Sequence, residues 1–325
     1  MTEINWGILG TARIAERLAA SIKEADNARL QMVGSRSADR VSKFTAQYHI
    51  PQSGTYQEVL DNPAVDAIYI PLPNHLHLKW AEMALQAGKS VLVEKPIVLN
   101  IRDLNRLRQV ALDTDQLLME GLMYRFHPVI PKLQELIATD QIGEIEFIQF
   151  NFAHSIASYL GNADNYRYYR ELGGGALFDL GIYGIDVIHQ LIPDTEAEIA
   201  FVKSVAYDTK QLAQALAPAD RWTKCMLYFD NIQAEIMASF SSHSKLLLIS
   251  GTSGEIRLND LSAPGVKEIE LRNQQGTEFI AVESCNTYRM EIELFSQSLL
   301  DGEPSPISLQ SSYRNIDLIE RLLQH

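Results

Sequence analysis

The segment Ile4-Asn5-Trp6-Gly7-Ile8-Leu9-Gly10-Thr11-Ala12-Arg13-Ile14-Ala15 decides how the first third of the chain is read. Residues 4–9 are mostly apolar and suit a strand buried on both faces. Residues 12–22 then place Ala15, Leu18, Ala19 and Ile22 on one helical face. Between them, Gly10, Ala12 and Ala15 stand where the dinucleotide fingerprint has G-x-G-x-x-G/A. The first and third positions fit, and Ala12 replaces the glycine that lets the backbone approach a pyrophosphate. A helix starting here offers its first N–H groups, at Arg13 and Ile14, to an anion. A glycine turn that only packs a strand onto a helix is the bland alternative. The position between first strand and first helix favours the nucleotide.

Outward from this segment the two periods keep alternating. Apolar runs at 30–33, 66–72, 90–93 and 117–120 read as strands. Helical patterns cover 39–49, 75–87 and 101–112, the second closed by Gly88 at a left-handed C′ position. Such alternation predicts a doubly wound, parallel α/β Rossmann domain over residues 1–121. From residue 144 strands follow one another at 144–152, 197–207, 224–229, 233–240 and 245–250, several separated by turns such as Asp230-Asn231 and Thr252-Ser253-Gly254. Helices are sparse there, at 128–139, 175–191, 288–300 and 313–323. Residues 122–325 are therefore expected to form an α+β domain on a mostly antiparallel open sheet.

Composition narrows the function. At 46% hydrophobic and 21% charged residues the chain is globular rather than disordered. A net charge of −13 with no basic run argues against nucleic acid or anionic lipid as partner. Cys225 and Cys285 are the only cysteines and form no CxxC pair, which excludes a disulfide scaffold or zinc ribbon and fits a reducing compartment. His154, His189 and His243 lack metal-site spacing, so no metal is expected. No apolar run approaches the roughly 18 residues of a membrane span, and the acidic start is unlike a signal peptide. A soluble, cytoplasmic protein is expected.

The end of the second strand reports on the nucleotide. An acid there would bind the ribose 2′-hydroxyl of NAD. The chain instead has Gly34-Ser35-Arg36-Ser37, with Arg40 one turn into the next helix. A guanidinium and hydroxyls suit a 2′-phosphate, so NADP is expected over NAD, with NAD still possible. Ser37 capping the helix beside a solvated Arg36 is the alternative.

Farther on stand Val91-Leu92-Val93-Glu94-Lys95-Pro96, Pro73-Asn74-His75, Met123-Tyr124-Arg125-Phe126-His127-Pro128 and Gly173-Gly174-Gly175-Ala176-Leu177-Phe178-Asp179-Leu180-Gly181-Ile182-Tyr183. In this order the set resembles the Gfo/Idh/MocA family of sugar and polyol oxidoreductases, over nearly the whole chain. With Trp6-Gly7-Ile8-Leu9 and the Asp-x-Gly-x-Tyr ending, it is most similar to the dihydrodiol dehydrogenase and D-xylose dehydrogenase branch. The resemblance implies an NAD(P)-dependent enzyme acting on a sugar or cyclic polyol, with Lys95 catalytic and with Asp179 and residue 183 lining the substrate. It also implies a homodimer or homotetramer, paired through the open face of the second sheet.

The residues support these roles on their own chemistry. Lys95 ends a parallel strand, at the edge where such sheets bind ligands, and Pro96 terminates the ladder. Asp179 and Tyr183, spaced i and i+4, share a helix face, where a hydrogen-bonded core pair is the structural alternative. Many family members carry His at position 183. A tyrosine is a weak base near neutral pH unless an ammonium such as that of Lys95 favours its phenolate. Lys95 and Tyr183 are thus expected to share proton transfer, with Asp179 holding a substrate hydroxyl or orienting Lys95.

Glu94, Pro73, Asn74, His75 and Arg125 are further candidates for the cofactor site. Asn74 also reads as a helix N-cap, while Arg125 and His127 read equally as hinge residues. Residues 165–170, polar and aromatic, suit sugar stacking or a subunit contact, and residues 155–172 are expected to set substrate choice. Two other readings stay open: a non-catalytic dinucleotide sensor of the galactose-repressor type, and a reductase of an imine or tetrapyrrole.

Overall fold

Apolar runs alternating with amphipathic helices bury both partners when the strands pair in parallel under a helical cover. The computed structural model describes residues 2–155, 164–193, 195–208, 212, 216–261 and 267–325. It forms two compact units, Met1–Met123 with Asn286–Tyr313 and Tyr124–Cys285 with Arg314–His325. The expected division after residue 121 was linear. The return of residues 286–313 to the first unit has no counterpart in it.

The first unit opens with β1 (Ile4–Leu9), α1 (Arg13–Glu24), β2 (Ala28–Gly34), α2 (Ala38–Tyr48), β3 (Gln52–Gly54) and α3 (Tyr56–Asp61). It continues through β4 (Ala67–Ile70), α4 (His77–Gln86), β5 (Ser90–Glu94), α5 (Ile101–Thr114) and β6 (Leu118–Gly121). All strand pairs are parallel, in the order β3-β2-β1-β4-β5-β6, which is the doubly wound sheet expected. Helix α1 buries Ala15, Leu18, Ala19 and Ile22, the face read from the sequence. It starts at Arg13, with Ala12 outside it as an extended N-cap.

The second unit holds α6 (Val129–Ala138), β7 (Ile145–Ala153), α7 (Ile182–Leu191), β8 (Glu198–Ala206), β9 (Asp220–Phe229) and β10 (Ile232–Ser239). Strands β11 (Ser244–Gly251), β12 (Gly254–Leu258), β13 (Lys267–Asn273) and β14 (Gly276–Val282) complete its sheet. The order is β14-β13-β12-β11-β7-β10-β9-β8, antiparallel except for the parallel pair β7 and β10. Burial alternates along the central strands: Ile148, Phe150 and Phe152, then Cys225, Leu227 and Phe229, face inward. Gly184 of α7 packs on that face, where an added Cβ would meet the Phe150 ring at 2.4 Å.

Two helices follow, α8 (Thr287–Asp301) and α9 (Leu309–Gln324). Helix α8 belongs to the first unit. The fully buried Trp6 of β1 donates from Nε1 to Ser296 Oγ at 3.0 Å, and its ring tilts against Phe295.

Candidate active site

In a doubly wound sheet, ligands collect beyond the carboxyl ends of the strands, where the strand order reverses. Here the order reverses at β1 and β4. At and just beyond the carboxyl ends of β1, β2, β4 and β5 stand Gly10 to Ile14, Ser35 to Ser37, Pro73 to His75 and Glu94-Lys95. Those candidates therefore share one edge of one sheet.

At the first of these segments Gly10 adopts φ +114°, a conformation that side chains rarely take. Its N–H donates to the Gly34 carbonyl at 2.8 Å, tying the ends of β1 and β2. No side chain caps the start of α1, and Ala12 and Arg13 are exposed. An anion would suit that uncapped turn.

Beyond β2, the Ser37 N–H donates to Ser35 Oγ at 3.2 Å, and Ser37 Oγ accepts from the Arg40 N–H at 3.4 Å. Ser37 is thus the N-cap of α2. Arg36 and Arg40 are exposed. The Arg36 guanidinium lies near the Tyr56 hydroxyl; burial raises the Tyr56 pKa, and the guanidinium opposes it. That same hydroxyl lies 3.8 Å from where a Cβ on Gly10 would be, so Tyr56 brings the glycine turn and Arg36 together.

The segment after β4 differs from the expected helix start. Asn74 is buried inside a 3-10 turn, Asn74–Leu76, whose N-cap is Pro73, so Asn74 is not the cap. His75 is exposed. His77, at the start of α4, is fully buried, with its ring nitrogens 2.7 Å from the carbonyl oxygens of Pro96 and Leu72. Burial pushes its pKa down to about 4 with help from the Lys95 charge, against the pull of both carbonyls. The neutral ring has one N–H, which serves one carbonyl at a time.

At the end of β5, Glu94 accepts from Tyr69, and Lys95, half-buried, precedes Pro96 through a cis peptide. The α8 residues Tyr288 and Glu291 add to this group. Burial, then the Glu94 charge, raises the pKa of both.

In the second unit a π-helical turn, Leu177–Gly181, precedes α7 and contains Asp179. The sequence predicted one continuous helix; such wider turns recur at functional sites. Close approach accounts for the glycines around it. A Cβ on Gly175 would lie 2.0 Å from Asp220 Oδ1, and one on Gly174 would lie 2.5 Å from the Tyr166 carbonyl oxygen. Asp220 Oδ2 accepts from the Leu177 N–H at 3.0 Å, holding the start of the turn. Asp179 Oδ2 accepts from Arg167 Nε at 3.0 Å. Half-buried Tyr183 packs edge-on to Tyr124 and tilted to Phe152, with ring centroids 5.8 and 5.6 Å apart.

Tyr124 donates to Asp186, and the Arg125 guanidinium grips the same carboxylate through Nε, at 2.7 Å, and Nη2. Asn315 completes this fully buried acceptor at 2.6 Å. Arg125, expected at the cofactor, is thus engaged by a residue of its own unit. His127 is buried and its Nδ1 accepts from the Val129 N–H at the start of α6. Of the segment expected to set substrate choice, residues 156–163 lie outside the described residues.

Sequence reasoning placed Arg167 only within the polar aromatic segment 165–170, not as a partner of Asp179, and missed Asp186, His77 and Glu291. A charged or imidazole side chain on an otherwise apolar helix face was the signal for the last three. Among the described residues no cluster of His, Cys, Asp or Glu could hold a metal ion, and no helix is long and apolar enough to cross a membrane.

Residues 4–122 match the oxidoreductase family with an NAD-binding Rossmann fold, and residues 130–257 match the GFO/IDH/MocA C-terminal domain. An uncharacterized oxidoreductase of Rhizobium meliloti is 32% identical over 99% of this chain and 96% of its own. The chain belongs to the Gfo/Idh/MocA family.

This family member is an oxidoreductase with an NAD-binding Rossmann domain. It is also similar to the NADP-dependent D-xylose 1-dehydrogenase 2 of Haloferax volcanii, 26% identical over 97% of this chain and 95% of that one. Its fold matches that of a 3-ketoreductase from Actinomadura kijaniata, crystallised with TDP-benzene and NADP. The TM-score there is 0.90, at 24% identity over 99% of this chain and 97% of that one.

Proposed function

We propose that this Gfo/Idh/MocA protein is an NADP-preferring dehydrogenase or reductase of a small cyclic polyol or sugar, of the aldose or dihydrodiol type. One observation carries the reading: the glycine turn, the Ser-Arg-Ser segment, Asn74 and the Glu94-Lys95 pair lie at one carboxyl edge of a doubly wound sheet, around its reversal point. The uncapped N-terminus of α1 and the side-chain-free Gly10 suit a pyrophosphate, and Arg36 with Ser35 and Ser37 suits a 2′-phosphate. A nicotinamide dinucleotide, when bound, supplies or accepts the hydride. The similarity to a D-xylose dehydrogenase supports the substrate class.

In this reading Lys95 and Tyr183 handle the hydroxyl proton. An ammonium near a tyrosine favours its phenolate, and that is what would make a tyrosine a competent base near neutral pH. Asp179, an acceptor already engaged by Arg167, orients a substrate hydroxyl. The protein acts as a cytoplasmic homodimer or homotetramer. Exposed Phe201, Val205, Tyr228 and Phe279 on β8, β9 and β14 support pairing through the outer face of the sheet.

The test is a screen of aldoses, inositols and dihydrodiols with NADP and NAD, followed by Lys95→Met and Tyr183→Phe. Turnover should fall roughly 10²–10⁴-fold in each variant with cofactor affinity nearly unchanged. The double variant should be little worse than the worse single one. Nucleotide binding without turnover on the whole panel would favour the dinucleotide sensor instead.

A further inference from the structure

We propose that Arg167 is a positioning residue that acts on the substrate through Asp179. This rests on the reading above, in which Asp179 lines the substrate.

Arg167 lies in a 3-10 turn, Tyr166–Tyr168, and its N–H donates to Asn165 Oδ1 at 3.1 Å. Its carbonyl accepts from the Gly175 N–H at 3.1 Å. A Cβ on Gly174 would lie 2.6 Å from that carbonyl oxygen, so only a glycine lets this backbone lie against the start of the helix. The glycine run thereby fixes the base of the Arg167 side chain. The guanidinium then spans twelve residues to Asp179, Nε to Oδ2 at 3.0 Å, with the Tyr166 ring 4.7 Å from its centre. The two side chains are 28% and 15% exposed, so water screens the pair only in part.

A guanidinium is planar and permanently charged. It therefore sets the direction of a carboxylate as well as its charge, which an ammonium does less well. Asp179 sits in a π-turn, a wider and less regular support than an α-helix, and Arg167 supplies a second point of attachment. Held in this way, Asp179 presents a fixed acceptor to a substrate hydroxyl and leaves proton abstraction to other groups.

The experiment is a double-mutant cycle of Arg167→Ala and Asp179→Asn, with Arg167→Lys beside it. It uses the full-length protein with NADP, with D-xylose as first probe and the most active polyol of the screen as second. Expected for Arg167→Ala is a loss of roughly 10- to 100-fold in kcat/KM, as misplacement of a binding group gives. NADP affinity should stay within about twofold, and Arg167→Lys should recover part of the loss. In the Asp179→Asn background Arg167→Ala should add less than about twofold, since groups acting as a unit are not additive.

The same loss in both backgrounds would overturn the proposal, because Arg167 would then touch substrate by itself. Unchanged kcat/KM with a lower melting temperature would also overturn it, leaving the pair purely structural. If Asp179→Asn alone left kcat and KM as in the wild type, the substrate role of Asp179 would fail instead, and the two failures are distinguishable.

Discussion

The hydroxyl of Tyr69 donates to Glu94 Oε1 at 2.6 Å, joining β4 to the last residue of β5 at the edge where Lys95 emerges. Glu291 of α8 belongs to the same group, almost fully buried, and its Oε1 has no hydrogen-bond partner among the described residues. Burial and the Glu94 charge hold the Glu291 carboxyl well above the ordinary range, so it keeps its proton under conditions where an exposed glutamate has lost it.

That shift makes stability depend on pH with a definite sign. A carboxyl whose pKa is raised by folding contributes stability that is fully present below its unfolded value, near 4.5, and that is lost as pH rises towards the folded value. Glu291→Gln should remove this slope. Urea midpoints measured from about pH 5 to 9 should diverge, with the variant gaining on the wild type as pH rises. Parallel curves would show that the carboxyl is not the group responsible.

Arg36 tests cofactor choice. With the acid of NAD-type sites absent and the guanidinium exposed beside Tyr56, Arg36→Ala should weaken NADP binding roughly tenfold and leave NAD nearly unchanged. Equal losses for both nucleotides, by fluorescence titration, would show that Arg36 does not read the 2′-phosphate.

Ala12 occupies the N-cap of α1 rather than its first turn, and this sets the sign of a substitution there. Glycine is better than alanine at an N-cap, by roughly 0.5 kcal/mol, although it is worse inside a helix. Ala12→Gly should therefore leave the melting temperature unchanged or slightly higher. It should keep or improve cofactor affinity, since it restores the glycine of the fingerprint.

Gly175 combines φ +110° with the nearest side-chain approach of any glycine in the motif. Asp220 cannot swing away without losing its bonds to the Leu177 N–H and to Thr223 Oγ1. Gly175→Ala should therefore destabilise by roughly 1–3 kcal/mol in urea unfolding. It should also lower kcat/KM, because the turn carrying Asp179 starts there.

The first unit was legible where burial writes itself into composition. Strands β1, β4 and β5 are buried apolar runs, and α1 shows its inner face as Ala15, Leu18, Ala19 and Ile22. Strand β3 escaped notice because its three residues, Gln52 to Gly54, bury little and have no alternation to read. In the second unit the period-2 pattern announced strands, but no pattern states which strand pairs with which. The parallel pairing of β7 with β10 was therefore invisible. The π-turn was hidden because its residues fit an α-helical period equally well. Motifs such as Glu94-Lys95-Pro96 could be read directly. Partners such as Arg167 and Glu291 could not, since a charged side chain shows its target only once the backbone is folded.

The bond from Trp6 to Ser296 spans 290 residues of chain. At ~5–20 residues per second of synthesis, Trp6 waits on the order of 15–60 s on the ribosome for its partner to be made. During that interval the face of the first sheet that α8 will cover is exposed, and residues 124–285, most of the second unit, are translated before the first can close. Chaperone demand should therefore be greatest before Asn286 emerges. A fragment ending at Met123 should aggregate, while the same fragment joined by a short linker to residues 286–313 should fold and retain its nucleotide affinity.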